Sequence, residues 1–417
     1  MSTETHRTIL HADINNCYAS IEILHHPKLR GHPVAVGGDV EARHGIILAK
    51  DYIAKEYGVK VGQALWEARQ LCPQLIIVPP NYRLYLRVSG LMRKIFEDYT
   101  DQIEPFGLDE SWLDVTGSIG ILGSGETIAE EIRRRVKKEL GVTVSIGVSF
   151  NKIFAKLGSD MKKPDAITVI SRENFQEKVW PLPAEDLLGV GHATKRKMHN
   201  MGIFTIGHIA AAPPKALQSR LHKWGLFLHA FANGNDRSPV EVSGTERMIK
   251  SVGNSITAPR DLMNMEDVKI VYMDLAESVA ERMRELGLAC KTVQISLRDN
   301  ALFRFERQLT LTQPSNLAKE MCDKALQMVE QQYYWKKPLR SIGIRGMSLV
   351  PDTTPVQTSF FSSEWERERL EIMERTMDML RRRFGHQSIE RCMMLSDPLL
   401  GKLNPKGDNI IHPIGYF

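Results

Sequence analysis

The sequence feature that most constrains the fold is a pair of short strands that carries carboxylates at its turn. A strand-prone run, Ile103 to Phe106, leads directly into G-L-D-E-S-W-L-D-V-T at 107–116. Strict alternation in the second run places Asp109 and Glu110 on opposite faces of a strand. The two runs are therefore predicted to pair as a β-hairpin with both carboxylates at its tip.

A third carboxylate is expected at the same edge of the sheet. Thr8 to Asp13 is a short β-prone run that ends in Asp13, and good helix-capping residues follow it. Mg²⁺ prefers oxygen ligands of this kind, and two ions about 4 Å apart can stabilise the attacking and leaving oxygens of a phosphoryl transfer. Taken as isolated residues, however, the three carboxylates would more often be a solvated turn and a helix cap.

The pattern of the first half predicts an α+β layer, with helices against a mainly antiparallel sheet. Helical spacing from Asp51 to Leu71 is broken at Gly58 to Gly62. Further helices are predicted at Tyr82 to Tyr99, Thr127 to Leu140 and Ile153 to Met161, with a strand at Thr143 to Val148. From Asn174 to Asn233 the composition changes to short helices.

A separate unit is predicted after a linker-like segment, Ser238 to Glu246. The order there is β-α-β-β-α-β, which is a split-βαβ unit. Its strands are expected at 251–257, 291–298, 303–311 and 341–350, and its helices at 266–286 and 316–333. Beyond it, a helix is predicted from Glu364 to Arg383, followed by a poorly patterned end.

Composition narrows the class of protein. Hydrophobic residues make up 42% and charged residues 25% of the 417 residues, as in folded proteins. The chain has no run of eighteen apolar residues and no apolar signal core at its start, so a cytoplasmic location without a membrane is predicted. Five scattered cysteines favour reduced thiols over a zinc site. The net charge is +5, and several basic clusters are spread along the chain. This distribution favours a partner with a long row of phosphates over a single small-molecule pocket.

Three blocks of sequence carry a resemblance to a known family. They are H-A-D-I-N-N-C-Y-A-S-I-E at 11–22, G-L-D-E-S-W-L-D at 107–114 and S-I-G-V-S-F-N-K-I-F-A-K-L-G-S-D-M-K-K-P-D at 145–165. Together they resemble the Y-family lesion-bypass DNA polymerases, particularly the bacterial polymerase IV and UmuC-like branch. The resemblance implies a multidomain right-hand polymerase with a palm at 1–15 and 81–173, small fingers at 16–80, a helical thumb at 174–237, a linker at 238–246, a split-βαβ little finger at 247–350 and a tail at 351–417.

The resemblance also implies roles for residues of the catalytic site. Asp13, Asp109 and Glu110 would be catalytic and would hold two Mg²⁺ ions, or Mn²⁺ as a substitute, with the main-chain carbonyl of Ile14 as a further ligand. Tyr18 would lie under the sugar and exclude ribonucleotides, whereas a tyrosine near a helix start is otherwise more often packed in the core. The lysine of the K-P pair, Lys163, would reach the incoming triphosphate.

The fingers segment A-K-D-Y-I-A-K-E-Y-G-V at 49–59 departs from the family pattern T-A-N-Y-x-A-R-x-[FY]-G-[VI]. Tyr52 matches a triphosphate-binding tyrosine, but Lys55 stands in place of an arginine and Ala49 in place of a threonine. Lysine keeps the positive charge and loses the bidentate fork of arginine. Looser phosphate positioning is therefore expected at this point.

Contacts with DNA and with a sliding clamp are implied as well. A helix-hairpin-helix element around Gly189 and Gly191 would hold a DNA phosphate, although tight helix packing also explains such glycines. The little finger would contact DNA through Lys250, Lys291, Arg298, Arg304 and Arg345. The peptide P-V-Q-T-S-F-F at 355–361 resembles a clamp-docking motif through Gln357, Phe360 and Phe361, with docking back onto the chain's own little finger as the alternative.

The whole-protein expectation is a monomeric, template-directed DNA polymerase for low-fidelity translesion synthesis. Its substrates would be primer-template DNA and deoxynucleoside triphosphates. Two other classes stay open from the sequence. One is a non-catalytic relative that holds DNA and clamp, and the other is a nucleotidyl cyclase with a palm-like sheet.

Overall fold

The structure, a computed structural model, describes residues 7–38, 43, 45–245, 248–356 and 364–408. The chain divides into two compact units, and the division near the predicted linker falls between Glu246 and Arg247. Within these described residues, no helix has both the length and the apolar character that a membrane crossing requires.

The first unit is built on two sheets. A five-stranded sheet has the order β5-β6-β1-β7-β8, and a three-stranded sheet has the order β3-β2-β4. The strands are β1 Ile9–Ile14, β2 Val34–Gly37, β3 Ile47–Lys50, β4 Ile76–Val78, β5 Ile103–Pro105, β6 Glu110–Asp114, β7 Val144–Ser149 and β8 Ile167–Ile170. In the larger sheet three neighbouring pairs are antiparallel and β7–β8 is parallel, which confirms the mainly antiparallel prediction.

Twelve α-helices are described in the first unit. They are α1 Cys17–His25, α2 Tyr52–Glu56, α3 Leu65–Leu71, α4 Tyr82–Glu97, α5 Ile119–Leu122, α6 Gly125–Arg135, α7 Lys152–Met161, α8 Phe175–Val179, α9 His192–His199, α10 Ile206–Ala211, α11 Pro214–Leu221 and α12 Lys223–Ala232. The gap between α2 and α3 confirms the predicted break at the glycines. Helix α6 continues to Leu140 through a π-helical turn, Val136–Leu140.

The predicted hairpin and its alternation are confirmed. Strand β5 pairs with β6, and Ile103 lies opposite Leu113. Leu113 packs in a core with residues of α4 and α6, whereas Trp112 packs on the other face with Ala155 of α7. Because the sheet is covered on both faces, all six residues of its central strand β1 are buried.

The second unit confirms the predicted β-α-β-β-α-β order. Its elements are β9 Ser251–Leu262, α13 Met265–Glu285, β10 Leu288–Asp299, β11 Arg304–Ser315, α14 Ala318–Gln332 and β12 Leu339–Pro351, followed by α15 Glu364–Phe384 and α16 Pro405–Asp408. The four strands form an antiparallel sheet in the order β11-β10-β12-β9. They are longer than the sequence predicted.

The tail helix α15 was predicted, but its attachment was not. Arg284 of α13 forms ion pairs with Glu374 at 2.8 Å and Asp378 at 2.7 Å, and all three side chains are buried. Glu374 also accepts a hydrogen bond from the Ala318 backbone N–H at the start of α14. The tail is thus part of the second unit's core, to which Leu400 also contributes. Residues 357–361 of the predicted clamp peptide at 355–361 lie outside the described residues.

Candidate active site

Three carboxylates converge at one end of β1. In the sheet register, Asp13 lies opposite Glu110 of β6 on one side and Ser145 of β7 on the other. The backbone N–H of Ile14 donates to the carbonyl of Asp109 at 2.9 Å, which brings the hairpin tip beside the end of β1. The antiparallel register therefore places Asp13, Asp109 and Glu110 together, as the sequence predicted.

A cleft of about 340 Å³ opens at this end of the sheet. Five of the predicted site residues line it: Asp13, Ile14, Tyr18, Asp109 and Lys163. Ala49 and Lys50 of β3 also line it, and Lys50 was not predicted as a site residue. Burial, and then the charge of Lys55, lowers the pKa of Lys50.

Two lysines compensate the negative charge of the carboxylates. The Lys163 ammonium lies 3.0 Å from Oδ2 of Asp13, and the Lys156 ammonium lies 2.5 Å from Oε2 of Glu110. Asp160 contacts both ammonium groups, at 2.9 Å and 3.4 Å. Lys156 and Asp160 were missed by the sequence analysis, although both lie in the block at 145–165 and are four residues apart on α7.

The carboxylates still repel one another. Burial, followed by the charges of Asp13 and Glu110, raises the pKa of Asp109 to about 6. Burial also raises the pKa of Asp13, and the ammonium groups of Lys163 and Lys156 oppose that rise. For Lys163 itself, burial opposes the charged form, but Asp13 and Asp160 raise its pKa overall. The site is thus an electronegative end of the sheet that favours a cation.

The donor set suits a hard divalent cation. Carboxylates of Asp13 and Asp109 face the cleft, and oxygen donors are what Mg²⁺ and Mn²⁺ take from proteins. Among the described residues, no three histidine, cysteine, aspartate or glutamate side chains form a ready-made metal-ligand group. Glu110 would have to leave Lys156 before its carboxylate could serve as a further ligand.

Behind Glu110 lies a buried histidine. Nδ1 of His11 is 2.8 Å from the Ser159 hydroxyl, and Nε2 is 3.4 Å from the carboxylate of Glu110. Burial, and then the charge of Lys156, lowers the pKa of His11 well below its usual value. The imidazole is therefore neutral at physiological pH and packs behind the carboxylate rather than pairing with it as a charge.

The segment that carries Lys163 is held to β1 by Asn15. The Asn15 side-chain oxygen accepts from the backbone N–H of Asp165 at 2.9 Å and from the hydroxyl of Thr143 at 3.0 Å. Its amide nitrogen donates to Ser145 Oγ at 2.9 Å. Asn15 is buried, so these bonds connect the end of β1 to the loop after α7.

Tyr18 is half-buried at the start of α1. Asn16, the cap residue before α1, has a left-handed backbone with φ of 48°, which turns the chain from β1 into the helix. Burial, and then the charge of Asp109, raises the pKa of Tyr18 to about 12. The ring stacks on Tyr85 with centroids 4.3 Å apart, so it has an aromatic neighbour on its buried side.

The predicted fingers residues Tyr52 and Lys55 lie on α2, which follows β3. Asp51 caps α2 by accepting from the backbone N–H of Ala54 at 2.8 Å. Tyr52 is half-buried, and the exposed Lys55 has its ammonium 5.7 Å from the Tyr52 ring centroid. Neither side chain is among those lining the cleft. Lys50 of β3 lines the cleft instead.

The two glycines of the predicted thumb differ in their surroundings. Gly189 has a φ of +91°, and a Cβ there would overlap the ring of Trp224, whose Nε1 donates to the Gly189 carbonyl at 3.0 Å. Gly191 is the cap residue of α9, and a Cβ there would meet open space. Tight packing therefore accounts for Gly189, while the exposed turn at Gly191 leaves the start of α9 open to a ligand.

Three of the five predicted little-finger cations share one sheet face. Arg298 lies opposite Arg304, and Arg345 lies opposite Gln294. This face points away from the helices, because the alternating residues Val293, Ile295 and Leu297 are buried. Lys250 precedes β9, and Lys291 falls at an irregularity of the β10–β11 pairing, so these two lie outside the regular face.

Comparison with known proteins identifies the family. Two family models match: the impB/mucB/samB family over residues 12–160, and the C-terminal domain of that family over residues 249–360. The DNA polymerase IV of Acetivibrio thermocellus is 51% identical over 397 residues, which cover 95% of this chain and 100% of that protein. The DNA polymerase IV of Pelotomaculum thermopropionicum is 37% identical over 404 residues, covering 97% and 99%.

A solved structure shows the same fold. A Y-family DNA polymerase chimera matches with a TM-score of 0.72 and 22% identity, covering 82% of this chain and 99% of that one. This likeness confirms the predicted α+β polymerase architecture. By its motifs, its fold and its full-length relatives, the chain belongs to the impB/mucB/samB family of Y-family DNA polymerases.

Proposed function

We propose that the chain is a template-directed DNA polymerase that extends a primer 3′ end with deoxynucleotides in low-fidelity translesion synthesis. One observation carries the proposal. Asp13 and Asp109 face a cleft that also holds Tyr18 and Lys163, at one edge of an antiparallel sheet. The relatives that match almost end to end are named DNA polymerase IV.

Each of the predicted catalytic residues has a role in this proposal. Asp13 and Asp109, with Glu110 and the Ile14 carbonyl, hold the divalent ions, which we take to be Mg²⁺ with Mn²⁺ as a substitute. When bound, such ions supply charge stabilisation to the attacking and leaving oxygens. Lys163 neutralises phosphate charge as pyrophosphate leaves, and positioning by fixed side chains contributes much of the rate in such reactions.

Selection of the nucleotide is assigned to Tyr18 in the cleft and to three residues of the predicted fingers segment. Tyr18 lies under the sugar and leaves no room for a 2′-hydroxyl. Tyr52 and Lys55 approach the triphosphate from the fingers, together with Lys50, which lines the cleft. Lys55 contributes a mobile point charge in place of an arginine fork.

Binding of DNA is assigned to surfaces outside the cleft. The turn at Gly189 and Gly191 presents backbone N–H groups at the start of α9 to a phosphate. Arg298, Arg304 and Arg345 line one face of the second unit's sheet, and Lys250 and Lys291 add charge near it. These contacts are independent of sequence, as required for a polymerase that moves along DNA.

We further propose a cytoplasmic monomer that docks on a sliding clamp through Gln357, Phe360 and Phe361. Adjacent phenylalanines in a polar segment favour a partner pocket. The test is clamp-stimulated primer extension with Phe360→Ala and Phe361→Ala. Unchanged stimulation would reject clamp docking and favour the alternative, in which the peptide binds the chain's own little finger. Deleting the tail after Val350 is unsuitable, because it removes the buried Glu374 and Asp378.

Primer extension tests the central proposal. Wild-type protein should extend a primer only as its template directs, and Asp109→Ala should abolish extension. A DNA-holding scaffold would give no product even as wild type. A nucleotidyl cyclase would convert a nucleoside triphosphate without a template. Either result would reject the polymerase assignment.

A further inference from the structure

The tyrosine assigned to sugar selection is held by two tyrosines of a neighbouring helix. Tyr18 stacks on Tyr85 of α4 with centroids 4.3 Å apart and ring planes 10° from parallel. Tyr82 meets both rings edge-on, at 6.0 Å in each case. Stacked and edge-to-face contacts are the preferred geometries of aromatic pairs, so Tyr18 is constrained on its buried side.

The central ring of this group is itself anchored. The Tyr85 hydroxyl donates to Oε1 of Glu22 at 2.6 Å, and both residues are buried, with Tyr85 0% and Glu22 4% exposed. Glu22 is four residues after Tyr18 on α1, so the two lie on the same side of that helix. The contacts therefore run from Tyr18 to Tyr85 of α4 and back to Glu22 of α1.

A carboxylate in this position is costly unless it has a specific partner. Glu22 of α1 is buried, and its partner Tyr85 belongs to the hydrophobic core that α1 and α4 share. Its second oxygen lies 3.6 Å from Nε2 of the exposed His26. The Tyr85 hydroxyl thus gives the buried carboxylate its short hydrogen bond, and the carboxylate in turn fixes where the Tyr85 ring lies.

We propose that Glu22 and Tyr85 are positioning residues that hold the Tyr18 ring at the depth needed to exclude a 2′-hydroxyl. This inference rests on the proposed function, since it takes Tyr18 as the group that meets the sugar. Discrimination between deoxyribose and ribose depends on a single oxygen atom. A ring that can tilt toward Tyr85 makes room for that oxygen without losing its contact with deoxyribose.

The test compares single-nucleotide incorporation of dNTP and rNTP, with kcat and KM measured for each. Tyr85→Phe removes the hydroxyl and keeps the stacked ring, and Glu22→Leu removes the acceptor. Both should lower the discrimination ratio by about tenfold, the effect of losing one charge-assisted hydrogen bond. The change should come from better rNTP use, with kcat/KM for dNTP within about threefold of wild type. Glu22→Gln, unlike Glu22→Leu, keeps an acceptor oxygen and should therefore keep a discrimination ratio near that of the wild type.

A matched control is available in the same core. Tyr99→Phe removes the hydroxyl of another buried tyrosine, which lies 3.4 Å from Arg135 and away from the cleft. This variant should keep the wild-type ratio. In Tyr85→Phe and Glu22→Leu, kcat/KM could instead fall by the same factor for dNTP and rNTP, which leaves the discrimination ratio unchanged. That result would show a merely structural role and overturn the inference.

Tyr18→Ala distinguishes failure of the Tyr85–Glu22 anchor from failure of sugar selection by Tyr18. A lower ratio in Tyr18→Ala with an unchanged ratio in Tyr85→Phe rejects the anchor alone. An unchanged ratio in Tyr18→Ala rejects sugar selection by Tyr18, and with it the role of its anchor. Lower ratios in all three of Tyr18→Ala, Tyr85→Phe and Glu22→Leu, with recovery in Glu22→Gln, support the inference.

Discussion

The ammonium group of Lys156 lies 2.5 Å from Oε2 of Glu110 and 3.9 Å from Oδ2 of Asp13. Helix α7 thus places a positive charge against two carboxylates that are proposed to bind divalent ions. Because burial gives these carboxylates little water, the lysine stabilises them when no metal is bound.

Lys156→Met should therefore destabilise the metal-free protein by about 2–3 kcal/mol, since it leaves partly buried carboxylates without a partner. Saturating Mg²⁺ should recover much of that loss, because the ion replaces the missing charge. Urea unfolding in EDTA and in MgCl₂ measures both values. Lys137→Met is the matched control, since the exposed Lys137–Asp165 pair should contribute under about 1 kcal/mol in either buffer. Equal losses with and without Mg²⁺ would contradict the prediction.

Asp109→Asn should stabilise the metal-free protein at neutral pH. The folded state raises the pKa of Asp109 to about 6, above its ordinary value, so folding disfavours the ionised form. The cost is complete above about pH 6, about 2–3 kcal/mol at 1.36 kcal/mol per pKa unit, and disappears as pH falls toward 4.

Chemical unfolding in EDTA should accordingly show a gain for Asp109→Asn at pH 7.5 that shrinks at pH 4.5. Asp101→Asn, at an exposed site in the same unit, should show little change at either pH. A gain of the same size at both pH values would mean that the carboxylate charge is not its cause.

Lys55→Arg should tighten binding of the incoming nucleotide. A guanidinium can contact a phosphate with two parallel N–H groups, whereas the lysine of this chain offers one mobile ammonium. KM for dNTP should fall by about three- to tenfold, with kcat within about twofold. Steady-state incorporation measures this, with Lys60→Arg as a control at another exposed fingers lysine. An unchanged KM would place Lys55 away from the triphosphate.

The two thumb glycines should respond differently to alanine. Gly189→Ala forces a side chain into a left-handed backbone and onto Trp224, so a stability loss of about 2–4 kcal/mol is expected. Gly191→Ala meets open space and should cost about 1 kcal/mol or less. Thermal unfolding compares them, and DNA affinity should weaken more in Gly189→Ala. Similar losses would show that Trp224 does not set the turn.

Local sequence patterns predicted which residues share a face of a strand. The alternation around Trp112 and Leu113 assigned both faces of β6, because side chains of a strand alternate with a period of two residues. The order of elements in the second unit followed from the same logic. The motif residues Asp13, Tyr18 and Lys163 then lie on one cleft, as the resemblance implied.

Three pairs of side chains that are distant along the chain were not predicted. Glu110 and Lys156 are separated by 46 residues, Tyr85 and Glu22 by 63, and Arg284 and Asp378 by 94. Charge and aromatic character are visible in the sequence, but a pair requires two backbones to approach. The chain has many lysines and tyrosines, and the sequence does not show which of them is the partner of a given carboxylate.

The sequence by itself determined the family, the α+β order of the elements and the carboxylates at the end of β1, because strand periodicity and short motifs are local properties. The tertiary structure alone decided which charges those carboxylates face, how Tyr18 is held, and that the tail belongs to the second unit's core. These outcomes depend on burial, which removes water from charged and aromatic groups and makes their choice of partner energetically decisive.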